Sequence, residues 1–126
     1  MSSQGEGEAQ VKRRFRLTRS GDFQRVRRFG KSYAHPLVVL IVQPSDQPKI
    51  CVGVAAGKTV GVAVRRNRAK RLLRAAMQRL LPDIAAGSDI LLIARQPLPA
   101  STLDETRAAL RSLLRRAGLL ASPDAT

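Results

Sequence analysis

Aromatic side chains are scarce in this chain: three Phe, one Tyr and no Trp among 126 residues. Whatever core a chain of this length buries must therefore be aliphatic, built from Leu, Val, Ile and Ala. The single cysteine, Cys51, excludes an internal disulfide and a Cys-x-x-Cys metal pair. Between Ile50 and Val52 it reads as a buried strand thiol. The single histidine, His35, precedes Pro36 and has no second His or Cys to complete a metal site, so it reads as a strand-start residue and not a catalyst. The longest apolar run, Leu37 to Val42, falls far short of the roughly 20 residues that cross a bilayer. The opening MSSQGEGEAQ lacks the basic-then-apolar order of a signal peptide. Together these absences predict a cytoplasmic protein. Negative charge is also in short supply, with nine Asp and Glu against 23 Lys and Arg, a formal net charge of +14 and a pI near 11.7. That imbalance predicts a polyanionic partner, nucleic acid before an anionic membrane surface.

The excess is concentrated. Between Lys12 and Arg79 the only acids are Asp22 and Asp46, whereas from Asp83 onward basic and acidic residues balance. The first two-thirds of the chain carries the electrostatic footprint, and the last third reads as scaffold. Residues 1–11 are small, polar and Gly-containing and read as a disordered leader. Residues 121–126 read as a frayed end, leaving one domain over 12–120.

Within it, Ser20 can cap a short helix through Phe23 and Val26, closed by Gly30. YAHPLVVLIVQ reads as a strand, PSDQP as a reversal and KICVGVAAG as a second strand, the two forming an antiparallel hairpin. Ala69, Leu72, Leu73, Ala76, Met77, Leu80 and Leu81 recur at helix period until Pro82 stops them. SDILLIAR is a third strand. Ser101 with Asp104 resembles a capping box before a last helix ended by Gly118. The order is α-β-β-α-β-α: an α+β domain with a mixed central sheet packed with helices.

The segment RRNRAKRLLRAAMQRLL, Arg65 to Leu81, buries leucines on one side and carries basic residues without a single acid. Like charges at helical spacing repel, and mixed signs serve solubility as well, so an outside anion is the better explanation. On a helical wheel Asn67, Arg71 and Arg74 face away from the leucine stripe, with Lys70 at the edge. Arg65 and Arg66 stand at the helix start, where the dipole is already positive and phosphate is favoured. GKTV, Gly57 to Val60, is no P-loop, because the Gly required five places earlier is Val52. Lys58 and its flanking glycines can still bring backbone near a phosphate. The basic stretch KRRFRLTR adds Arg13, Arg14 and Arg16. Phe15, Phe23, Phe29 and Tyr33 all lie among these basic residues and fit either base-stacking rings or the core's only rings. No Ser/His/Asp, Cys/His or paired-carboxylate arrangement stands out, so the side chains describe a binder.

GVAVRRNRAKRLLR, Gly61 to Arg74, resembles the conserved motif of the protein component of bacterial ribonuclease P. RLTRSGDFQRV, VGVAAGKTVG and ILLIARQPL extend the resemblance in the family's order over roughly residues 13–120. It implies an α/β sandwich, shared with a ribosomal-protein domain, whose sheet contains a left-handed βαβ crossover. It also implies a ribonucleoprotein endonuclease that removes the 5′ leader from precursor tRNA. There the catalyst is a partner RNA, bound 1:1, which chiefly holds the Mg²⁺ ions. By residue, it places Arg66, Asn67, Arg68, Lys70, Arg71 and Arg74 near the catalytic RNA, and Phe23, Val39 and Ile41 in a cleft for the single-stranded leader. Arg27 and Tyr33 are expected to belong to the same leader-binding cleft. Some members carry aromatics where Arg27 and Ile41 stand, which implies weaker base stacking here and guanidinium or phosphate contact by Arg27. The competing readings are a small ribosomal or structural RNA-binding protein without a role in cleavage, a DNA-binding module with its basic helix in a groove, and a stand-alone nuclease.

Overall fold

A computed structural model describes residues 20–45, 50–84 and 87–120. The order is α1 (Ser20–Phe29), β1 (Lys31–Ala34), β2 (Val38–Pro44), β3 (Ile50–Ala56), α2 (Ala63–Leu80), β4 (Ser88–Ala94) and α3 (Leu103–Arg116), with short 3-10 turns at Lys58–Val60, Leu81–Asp83 and Leu98–Ala100. The four strands form one mixed sheet in the order β1-β2-β4-β3. β1 and β4 flank β2 antiparallel, while β3 runs parallel to β4.

The α+β class and mixed sheet stand as read from the sequence, but the hairpin does not. β2 and β3 never pair; β4 lies between them. The tight hairpin joins β1 to β2, because YAHPLVVLIVQ breaks at His35–Leu37. Pro36 has no N–H for a ladder, which disfavours it inside a central strand. The chain reverses there instead, with paired backbone bonds between His35 and Val38, and Leu37 N–H donates to His35 Nδ1 at 3.1 Å. His35 is thus a turn residue. β2 and β4, apolar on both sides, take the two central positions, where both faces are covered.

One sheet face packs against α2 and α3. Leu40, Val52, Ile90 and Leu92 meet Ala69, Leu73, Met77 and Leu80 of α2 and Leu110, Leu113 and Leu114 of α3, all buried. The helical period of α2 predicted its inner face well; Leu72 and Leu81, at the edges of the stripe, are only half-buried. Pro82 ends the helix by falling within the turn Leu81–Asp83. The α3 capping box sits one residue later than expected. Thr102 Oγ1 accepts from Glu105 N–H at 3.0 Å, and Glu105 Oε1 accepts from Thr102 N–H at 2.8 Å. Ser101 is unavailable, since its buried hydroxyl bonds to Leu98 O at 2.7 Å and meets the Thr106 hydroxyl at 3.0 Å.

The other face carries α1 over a smaller core of Val26, Ile41 and Leu91. Gly30 makes that approach possible. A Cβ there would lie 2.5 Å from Val26 O, 2.6 Å from Ile41 Cγ2 and 2.9 Å from Val42 O. Two of the three are backbone atoms, so side-chain motion cannot relieve the clash. Gly30→Ala should cost about 1–3 kcal/mol, the usual range for overpacking, and lower the urea midpoint accordingly. An unchanged midpoint would mean α1 tolerates displacement.

Candidate nucleic-acid interface

The turn Lys58–Val60 leads the end of β3 into α2, with Val60 buried as its anchor and Lys58 exposed. Gly57 has open space around its Cβ position, so no close approach demands glycine there. Gly61 does need to be glycine: its φ is +130°, and a Cβ would come within 2.8 Å of Arg65 Cδ. α2 then starts with no side-chain cap and no acid in its first turn. Arg65 Nε donates to Val60 O at 3.2 Å, and Arg68 Nε donates to Pro99 O at 2.6 Å. These bonds hold the two stems while each guanidinium keeps further donors.

Around the rest of the helix, Asn67 and Arg71 are exposed, and Arg66, Lys70 and Arg74 are half-buried. The buried Nε of Arg66 finds no hydrogen-bond partner among the described residues. Val62 and Val64 are exposed beside these residues. The ion pairs Arg25–Asp89 and Arg107–Asp104 lie away from α2. With no acid in its first turn, α2 therefore presents a cationic face, on which Arg65 and Arg71 are exposed. Arg13, Arg14 and Arg16 lie outside the described residues.

A second surface lies on the sheet face under α1. The register builds cross-strand rows there: Val39–Ile93–Ala55, then Ile41–Leu91–Gly53, then Gln43–Asp89–Cys51. α1 covers the middle row, leaving Val39, Ile93 and Ala55 half-buried as an apolar strip. Phe23 is half-buried against the same cluster, and Arg27 is exposed one turn further along α1. The structure thus brings Phe23, Val39 and Ile41 together, but with unequal roles. Ile41 is only 6% exposed because α1 rests on it, so it floors the cleft and leaves its walls to others. Cys51 is half-buried, not buried as its flanks predicted.

Tyr33 does not join this cleft. Its cross-strand partner is Leu40, so its ring lies on the α2–α3 side of the sheet, against the main core. Arg116 lies 6.0 Å from the ring centroid while donating to Ala34 O at 2.8 Å. The residue alternation along β1 could have shown this only once the register with β2 was known. Phe29 is exposed, with the Arg28 guanidinium 5.5 Å from its ring.

Sequence reasoning missed three further features. Ile93 joins the apolar strip by its register with Val39. Arg25 reaches from α1 to Asp89 Oδ2 at 2.8 Å and to Gln43 Oε1. A cavity of about 830 Å³ opens at one end of the strip, lined by Ala34, His35, Thr59, Ile93, Arg95 and Gln96 among others. No local pattern announces any of these, because each assembles residues distant along the chain.

The Ribonuclease P family model matches residues 11–118. The chain is 36% identical over 110 residues to a ribonuclease P protein component of Bacillus cereus, covering 86% of this chain and 96% of that protein. It is 36% identical over 117 residues to that of Chloroflexus aurantiacus, covering 90% of this chain and 84% of that one. Among solved structures it is similar to the RNase P protein of Staphylococcus aureus, with a TM-score of 0.75, 30% identity and coverage of 85% and 98% of the two chains. The RNase P protein from Thermotoga maritima is also similar, with a TM-score of 0.72, 28% identity and coverage of 80% and 96%.

Proposed function

This chain belongs to the ribonuclease P protein family, and from that premise we propose that it assists a catalytic RNA, bound 1:1, in removing the 5′ leader of precursor tRNA. The observation that carries the proposal is the cationic face of α2, whose first turn holds no acid and whose Asn67 and Arg71 are exposed to solvent. Phosphates of the partner RNA supply the missing negative charge, and release of their counterions drives assembly. Arg65 and Arg68, held by carbonyl oxygens, present guanidinium donors at fixed positions.

The strip Val39–Ile93–Ala55, with Phe23 and Arg27 beside it, holds the single-stranded leader. Apolar side chains and the Phe23 ring suit base faces, and Arg27 suits a base plane or a phosphate. Binding the leader favours precursor over mature tRNA. Among the described residues no group of three or more His, Cys, Asp or Glu is placed to hold a metal. The Mg²⁺ of the reaction is held chiefly by the RNA in this reading, and the protein's part is to screen phosphate repulsion so that Mg²⁺ binds more readily.

Cleavage of precursor tRNA by a bacterial ribonuclease P RNA at low Mg²⁺, with and without this protein, tests the proposal. Stimulation that is lost when the leader is trimmed to about one nucleotide is the expected result. Stimulation independent of the leader would remove the groove from the mechanism. Binding to structured RNA with no stimulation would instead favour a structural RNA-binding role.

A further inference from the structure

α1 rests on the sheet over a small buried patch, and its sequence places three groups around it in an informative way. Taking Phe23 as zero, Arg27 falls at about 40°, Val26 at about −60° and Arg25 at about −160°. Val26, fully buried against Ile41 and Leu91, is therefore the pivot. Arg25 leaves one flank of that pivot, and Phe23 and Arg27 leave the other. Val26 is the fully buried side chain among the described residues of α1, with Phe23 half-buried on one flank, so a hold on the opposite flank fixes the roll of the helix.

Arg25 provides that hold. Its Nη2 donates to Asp89 Oδ2 at 2.8 Å, and its Nη1 donates to Gln43 Oε1. Gln43 and Asp89 are directly opposed across β2 and β4, the two central strands. One guanidinium thus fastens α1 to both of them at once. Asp89 is only 8% exposed, and its pair with Arg25 also neutralises the one described carboxylate on this sheet face. Charge-assisted bonds from a planar guanidinium fix direction as well as distance, which a single ammonium does less well.

We infer that Arg25 is a positioning residue: clamped to the Gln43–Asp89 pair, it sets the roll of α1 and so the placement of Phe23 and Arg27 over the strip that receives single-stranded RNA. This rests on the leader-binding reading above. Arg25 itself contacts no RNA in this mechanism.

The test uses the holoenzyme assembled with a bacterial ribonuclease P RNA and compares affinity for precursor tRNA bearing a full leader with affinity for one trimmed to about a nucleotide. Arg25→Met keeps the stem and removes the clamp. It should lower the full-to-trimmed affinity ratio about tenfold, the equivalent of one charge-assisted hydrogen bond. Affinity for the trimmed substrate and assembly with the RNA should stay within about twofold. Arg25→Lys should recover part of the ratio. Adding Asp89→Asn to Arg25→Met should not recover it, since neutralising the carboxylate does not rebuild the clamp. Full recovery would show that an uncovered Asp89 repels RNA, overturning the positioning role, as would equal losses for both substrates. Hydrogen exchange of the α1 amides in the free protein tests the clamp separately from the leader. Exchange unchanged by Arg25→Met would overturn the clamp whatever the leader does. A wild-type holoenzyme indifferent to the leader would overturn the leader reading, and the RNA-positioning role with it.

Discussion

Reversing two charges on the outer side of α2, Lys70→Glu with Arg71→Glu, should weaken assembly with ribonuclease P RNA by on the order of 100-fold at low salt. Arg71 is exposed and Lys70 half-buried at the edge of the same face, and neither belongs to the main core. The slope of log affinity against log salt should fall by about two, one unit for each phosphate no longer neutralised. Thermal unfolding should move little, because surface substitutions away from caps and cores usually change stability by less than about 0.5 kcal/mol. Filter binding across a salt series measures the first effect and circular dichroism the second. Arg111→Glu on α3, in the charge-balanced last third of the chain, is the control for net charge alone. If it weakens assembly as much per charge as the α2 pair, attraction is diffuse and the face has no special role.

Leu73→Ala, on the opposite side of the same helix, should do the reverse. Leu73 is 0% exposed and is buried in the main core with residues of the sheet and α3. Removing it should cost about 2–5 kcal/mol, from lost transfer energy and the cavity left behind. That is a large fraction of the stability of a domain this size, and the guanidinium midpoint should fall visibly. RNA affinity should drop only as far as the unfolded population grows, so saturating RNA should restore much of the apparent stability by mass action. Leu72→Ala, at a half-buried position, should cost clearly less. Equal costs for the two leucines would contradict this orientation of α2. With the charge reversals, this pair separates the two jobs of one helix. Its inner face holds the fold, and its outer face is the one proposed to hold the RNA.

The two candidate surfaces differed in how much local sequence showed of them. The α2 surface needed only one helix. Arg65, Arg66, Asn67, Arg68, Lys70, Arg71 and Arg74 are near neighbours in the chain, and a period of 3.6 residues orders them in space without any partner element. Even there, the bond from Arg68 to Pro99 O, 31 residues away, lay outside any local pattern. The cleft needed two strand pairings and a helix placement. Val39 and Ile93 are neighbours because β2 and β4 pair in a particular register. Tyr33 fell on the wrong side of the sheet for the role the sequence proposed. A shift of one residue in register moves a side chain from one face to the other.

By itself the sequence determined the α+β class, the inner and outer faces of α2, the stop at Pro82, the aliphatic core and the demand for a polyanion. Each follows from spacing within one element or from composition, where the physics is local. Tertiary structure alone decided that β4 would separate β2 from β3, that Thr102 would cap α3 in place of Ser101, and that Arg25 would fasten α1 to Gln43 and Asp89. Several apolar strands can satisfy the same ladder of backbone bonds. The choice among them follows from which arrangement buries β2 and β4 on both faces at once, and no single segment carries that information.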